Sequence, residues 1–137
     1  MAWPAQVTGR CYCGAVSFTA SALQEVTYCH CSDCRRATGA PVAAFAAFRE
    51  DNITFTGKLK SISVSDGVTR KFCEACGSPV SGHYSYLAGT IYVSVGLCDQ
   101  IAELEPRLHA HHDNTVKWLH LSDDLERHSA SARKVLP

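Results

Sequence analysis

The sequence has no excess of either charge. Thirteen Lys and Arg balance thirteen Asp and Glu. Nucleic acids and anionic membranes are normally met by a basic excess, so the balance excludes that footprint. Long apolar runs are missing too. The richest, residues 41–48, covers eight residues, against about 20 for a membrane-spanning helix. The opening Met1-Ala2-Trp3-Pro4-Ala5-Gln6 has neither the charged n-region nor the apolar core of a secretory leader. The expectation is a cytoplasmic protein with no nucleic-acid and no membrane partner. Repeats, low-complexity tracts and linkers are also lacking, and 137 residues read most simply as one domain. Helical periodicity is scarce, and no strand–helix–strand rhythm marks a doubly wound sheet.

What is present is strand signal. Hydrophobic residues make up 46% of the chain and charged residues 19%, which suits a folded globular protein rather than a disordered one. Residues 15–20 alternate, with Val16, Phe18 and Ala20 on one face. Further strands are expected over 43–48, 53–55, 59–64, 68–72 and 90–95, with Asp66-Gly67 as a hairpin turn. A short helix over 33–38 is expected to start at a Ser32 cap and end at Gly39. A second helical turn is placed at 122–126, and 129–137 reads as a loosely held tail. Many short strands between turns indicate an all-β domain with short helical turns.

Cysteine is abundant, with eight residues. In a reducing compartment, clustered thiols favour metal or redox chemistry over disulfides. Cys73-Glu74-Ala75-Cys76-Gly77 is a turn that aims two sulfurs at one point, and Cys11-Tyr12-Cys13-Gly14 offers another pair if that segment is extended. Two plus two makes a closed tetrahedral zinc site whose metal adds directly to folding stability. The alternatives for these pairs are reduced core cysteines and a redox centre, the latter lacking its usual βαβ setting.

Cys29-His30-Cys31-Ser32-Asp33-Cys34 holds three thiols in six residues. Cys29 and Cys31 face one ion if the chain is extended, Cys34 returns from the start of the helix, and His30 alternates away. Three protein ligands leave a fourth position for water or a substrate atom. Zinc is the expected metal because thiolates are soft ligands, with iron the other candidate. A thiol entering the fourth position would lose its proton and be ready to attack a carbonyl carbon. Arg35 and Arg36 are candidates for holding the carboxylate of an anionic thiol, or are solvated surface charge. Cys98 reads as a plain thiol. As a fourth ligand it would close the trio, and as a nucleophile it would support a redox reading.

These motifs resemble the glutathione-dependent formaldehyde-activating family, also called centromere protein V-like. The resemblance rests on Cys11-x-Cys13-Gly14, on Cys29-His30-Cys31-Ser32-x-Cys34-Arg35 and on Phe72-Cys73-x-x-Cys76-Gly77, with Val93-x-Val95-Gly96-Leu97 and the 106–118 stretch behind them. It implies a β-tent fold over residues 1–137, with a core at about 7–125 and a tail at 126–137. It also implies two zinc ions: a structural one on Cys11, Cys13, Cys73 and Cys76, and a catalytic one on Cys29, Cys31 and Cys34. The implied reaction is that of a carbon–sulfur lyase, joining glutathione and formaldehyde as S-(hydroxymethyl)glutathione. The implied partners are a small thiol and a small aldehyde. The alternative is a non-enzymatic zinc module on the same fold. Cys98, and the run His109, His111, His112, depart from the family pattern. The histidines are expected at the surface of a strand and its end, or lining a pocket.

Overall fold

A computed structural model describes residues 2–131. Its strands are β1 (Gln6–Arg10), β2 (Ser17–Ser21), β3 (Glu25–Cys29), β4 (Ala43–Arg49), β5 (Ile53–Thr56), β6 (Leu59–Ile62), β7 (Val68–Cys73), β8 (Pro79–Tyr84), β9 (Thr90–Ser94), β10 (Leu108–Ala110) and β11 (Glu126–Arg127). The α-helix among the described residues is α1 (Ser32–Thr38). The protein is all-β. A three-stranded sheet runs β1-β2-β5, and an eight-stranded sheet runs β11-β10-β3-β4-β9-β8-β7-β6. Pairing is antiparallel except at β10, which lies parallel to both β3 and β11.

The alternation read from the sequence decides how the sheets meet. In β2, Phe18 and Ala20 are buried and Thr19 is exposed, the pattern of a sheet with one wet face. Val7, Phe18, Ala20 and Ile53 of the small sheet pack on Val26, Ala46, Phe48, Ile91 and Val93 of the large one. Burying each large apolar side chain contributes about 1.5–3 kcal/mol, so this layer is the main source of stability.

β4 explains its own unbroken apolar run. Ala46 and Phe48 face that core, while Ala43, Phe45 and Ala47 pack on the opposite side with Cys29, Cys34, Leu87 and Tyr92. A central strand buried on both faces has no polar side to alternate with. Its second face becomes the wall of the cysteine-lined cavity described below.

Several boundaries differ from the sequence reading. The alternation does not mark β1, β3, β8 or β10. β8 begins with Pro79 and contains Gly82, two residues that weaken strand signal. β10 is only three residues long. Helix α1 is capped not by Ser32 but by Cys31, whose Sγ accepts the Cys34 N–H at 3.2 Å. The turn expected at 122–126 is not helical. The Asp123 carboxylate accepts the Leu125 N–H at 3.0 Å, a local bond that competes with helix formation. The chain then enters β11. Nor is the tail loose as far as Ala130. His128 donates its N–H to His109 O at 2.8 Å, His112 to His128 O at 2.9 Å, and His111 to Ala130 O at 3.0 Å. The rest of the expected tail, 132–137, lies outside the described residues.

Candidate metal centres

The four flanking cysteines converge. Cys11 follows β1 and Cys73 ends β7, and the donor atoms of Cys11, Cys13, Cys73 and Cys76 all lie within 4.8 Å of one another. Cys11–Cys13 and Cys13–Cys73 sulfurs are 3.6 Å and 3.8 Å apart. A tetrahedral zinc with Zn–S bonds of about 2.3 Å separates its sulfurs by about 3.8 Å, so the donor set fits this ion. Both pairs sit on tight turns rather than on extended chain: Gly14 N–H donates to Cys11 O at 3.1 Å, and Gly77 N–H to Cys73 O at 2.9 Å. Gly14 and Gly77 have φ of 83° and 76°, where a side chain would strain the backbone. The turns also aim amides at sulfur. Val16 N–H reaches Cys11 Sγ at 3.3 Å, and Cys76 N–H reaches Cys73 Sγ at 3.4 Å. Hydrogen bonding from Ser78 brings the Cys76 thiol down to about 5. The cluster joins the end of the small sheet to the β7–β8 hairpin of the large one.

The central trio forms a second group. Cys29 ends β3, Cys31 caps α1, and Cys34 lies in its first turn. Cys29 Sγ is 3.5 Å from Cys31 Sγ and 3.4 Å from Cys34 Sγ. Three soft donors at this spacing also fit zinc. No fourth His, Cys, Asp or Glu among the described residues joins the group.

Two side chains absent from the sequence reading complete this site. Arg70 Nη2 donates to Asp33 Oδ2 at 2.8 Å and to Cys34 Sγ at 3.6 Å, with its side chain only 11% exposed. The phenol oxygen of Tyr84 lies 3.8 Å from Cys34 Sγ. Hydrogen bonds from Cys29 and Cys31, aided by Arg70, pull the Cys34 thiol well below the ordinary cysteine range. Burial opposes the charge on Arg70, but Asp33, Tyr84 and Cys34 together outweigh it and the guanidinium stays charged. Burial and the neighbouring Cys34 push Tyr84 up, which keeps its proton in place to be donated to sulfur. Arg70 lies three residues before Cys73 in sequence, so nothing local ties it to the other cysteine group.

All three sulfurs line one cavity of about 240 Å³. Its walls are mainly Phe45, Val68, Leu87 and the tyrosines 84, 86 and 92. Neither Arg35 nor Arg36 lines it. Arg35 donates to Asn114 O at 2.6 Å, and exposed Arg36 borders a separate groove beside Ile62 and Val64. Cys98 is buried in the core between the sheets, its Sγ 3.8 Å from Ser94 O, and burial pushes its thiol up to about 12. It therefore neither closes the trio nor acts as a ready nucleophile.

His30 does turn away from the sulfurs, as alternation requires. It is not at the surface, however, and neither is His109: each is 1% exposed. The expectation of surface histidines fails at His109 because β3 and β11 flank its strand. His111 borders the sulfur-lined cavity, and His112 packs edge-on against both buried rings.

Fold and site together define a β-sheet protein with two cysteine groups able to hold zinc. The chain belongs to the glutathione-dependent formaldehyde-activating enzyme family, whose profile matches residues 6–114. A crystal structure of a Rhodobacter sphaeroides protein is similar, with a TM-score of 0.58 and 25% identity over 67% of this chain and 87% of that one. Comparison with curated proteins gives no match. Among the described residues no helix is long and apolar enough to cross a membrane.

Proposed function

We propose that the protein is a zinc-dependent enzyme of the carbon–sulfur lyase type, S-(hydroxymethyl)glutathione synthase-like. It joins a thiol to formaldehyde or another small aldehyde at Cys29, Cys31 and Cys34. The observation that carries this reading is the cavity. The three sulfurs open into a space large enough for a small molecule, and among the described residues no fourth protein donor is grouped with them. Cys11, Cys13, Cys73 and Cys76 would hold a second, structural ion. Zinc at the trio supplies Lewis acidity and favours the thiolate form of an incoming thiol.

The chain's own residues do the rest. Arg70 anchors Asp33 and Cys34 and offsets the negative charge gathered at three thiolates. Tyr84 directs its hydroxyl at Cys34 from the opposite wall. The apolar walls limit water, so charge interactions at the sulfurs are stronger than in solvent. In the reaction the thiol sulfur bonds to the carbonyl carbon, the carbon–oxygen π bond opens, and the thiol proton ends on the carbonyl oxygen.

The family name points to glutathione and formaldehyde as the reference pair. Their interconversion with the adduct is followed by exchange NMR in the native protein and in Cys31→Ser. The expected result is exchange well above the buffer rate, lost in the variant. Equal rates in native protein, variant and buffer, with glutathione and with an uncharged thiol alike, would remove the proposal in favour of a zinc module.

A further inference from the structure

The walls of the sulfur-lined cavity do not suit an anionic thiol. Glutathione carries two carboxylates and an ammonium group. A carboxylate taken from water into a pocket needs a cation or several hydrogen-bond donors to replace its hydration. No Lys or Arg among the described residues lines this cavity, and the basic side chain on its lining is the half-buried His111. Arg70, which reaches Cys34 beside the cavity, is committed to Asp33 at 2.8 Å and to Cys34. The one acidic residue on the lining is Asp33, whose charge repels a carboxylate.

The walls offer something else. Phe45 and Tyr92 meet edge to face at 6.3 Å between centroids, and Tyr84 meets Tyr92 at 5.6 Å and Tyr86 at 5.9 Å. Such an array receives a ring or a branched alkyl group with favourable edge-to-face contacts. The volume of about 240 Å³ lies below the range of roughly 300–1,000 Å³ typical of sites for drug-sized ligands.

We infer that the thiol used at this site is small and uncharged, with an aromatic or branched alkyl group seated on Phe45, Leu87, Tyr84 and Tyr92. The inference rests on the reading of the trio as a thiol–aldehyde centre and narrows its substrate class.

The test compares benzyl mercaptan with glutathione on the zinc-loaded full chain, by calorimetric binding and by exchange NMR with formaldehyde. Benzyl mercaptan is expected to bind at least tenfold more tightly. Tyr86 is 46% exposed at the rim. Tyr86→Arg supplies the missing cation and is expected to raise glutathione affinity several-fold while weakening benzyl mercaptan. Equal or tighter binding of glutathione by the native protein would overturn the inference, as would binding of neither thiol. The two readings fail separately. Tighter benzyl mercaptan without accelerated exchange upholds the ligand class and removes the catalysis. Tighter glutathione with accelerated exchange does the reverse.

Discussion

His30 Nε2 and His109 Nδ1 lie 2.8 Å apart in the interior, each ring 1% exposed. The Asp123 carboxylate sits 3.0 Å from His109 Nε2, and in the tautomer in which Nε2 donates to that carboxylate, His109 Nδ1 accepts from His30 Nε2. His30 Nδ1 is left with no hydrogen-bond partner among the described residues. Because His30 stands between Cys29 and Cys31, the chain Asp123–His109–His30 pins the ligand-bearing segment from behind. Replacing His109 by Leu leaves a buried imidazole N–H unpaired. The expected loss is about 1–3 kcal/mol in denaturant unfolding of the zinc-loaded protein. A loss under about 0.5 kcal/mol, the size of an ordinary surface substitution, would show that the pair contributes nothing.

Metal analysis should give two zincs per chain, with Cys31→Ser and Cys76→Ser each retaining one. The two losses are expected to differ in consequence. Cys76 belongs to the cluster that joins the two sheets, so its variant should melt at much lower temperature than Cys31→Ser. Equal melting temperatures would argue against a structural role for the four-sulfur group. Cys98→Ala should keep both ions, since Cys98 packs in the core away from either group.

Arg70→Gln removes the cation shared by Asp33 and Cys34. Groups that orient metal ligands are typically worth 10–100-fold in metal affinity. Chelator competition should find the trio weakened by about that factor, with the four-sulfur site unchanged. Full retention of affinity would mean that Arg70 serves only the Asp33 ion pair.

His83 provides a pH test away from both metal groups. Burial, helped by the charge of Lys71, lowers its folded-state value below that of the unfolded chain. The unfolded state therefore takes up this proton first as pH falls. Its contribution to stability is present above the unfolded value, near 6.5, and is lost as pH falls through the folded one. The melting temperature of the native protein minus that of His83→Gln should shrink between about pH 7.5 and 5.5, the region around an ordinary histidine value. A constant difference across that window would refute the assignment.

The cysteine motifs, the short helix and most of the strands were legible in the sequence because they depend on local geometry. Spacings of two, three and five residues, a glycine after each flanking pair and period-two alternation are properties of the nearby backbone. The family resemblance drew on the same motifs. β8 and β10 were not legible, one weakened by Pro79 and Gly82 and the other held by pairing to β3 alone on one side and β11 on the other. Arg35 and Arg36 drew attention by adjacency to Cys34, yet they point to Asn114 and to another groove. The cation that does reach Cys34 comes from β7.

By itself, then, the sequence determined the two cysteine groups and the all-β class, because cysteine spacing and alternation act over a few residues. Only the tertiary structure decided what surrounds them. Pairing of β3 with β10 put His109 behind the trio, and the order β4-β9-β8-β7 placed Phe45, Tyr92, Tyr84 and Arg70 around it. These neighbours are tens of residues apart in the chain. Their meeting depends on which strands pair, and no short stretch of sequence encodes that choice.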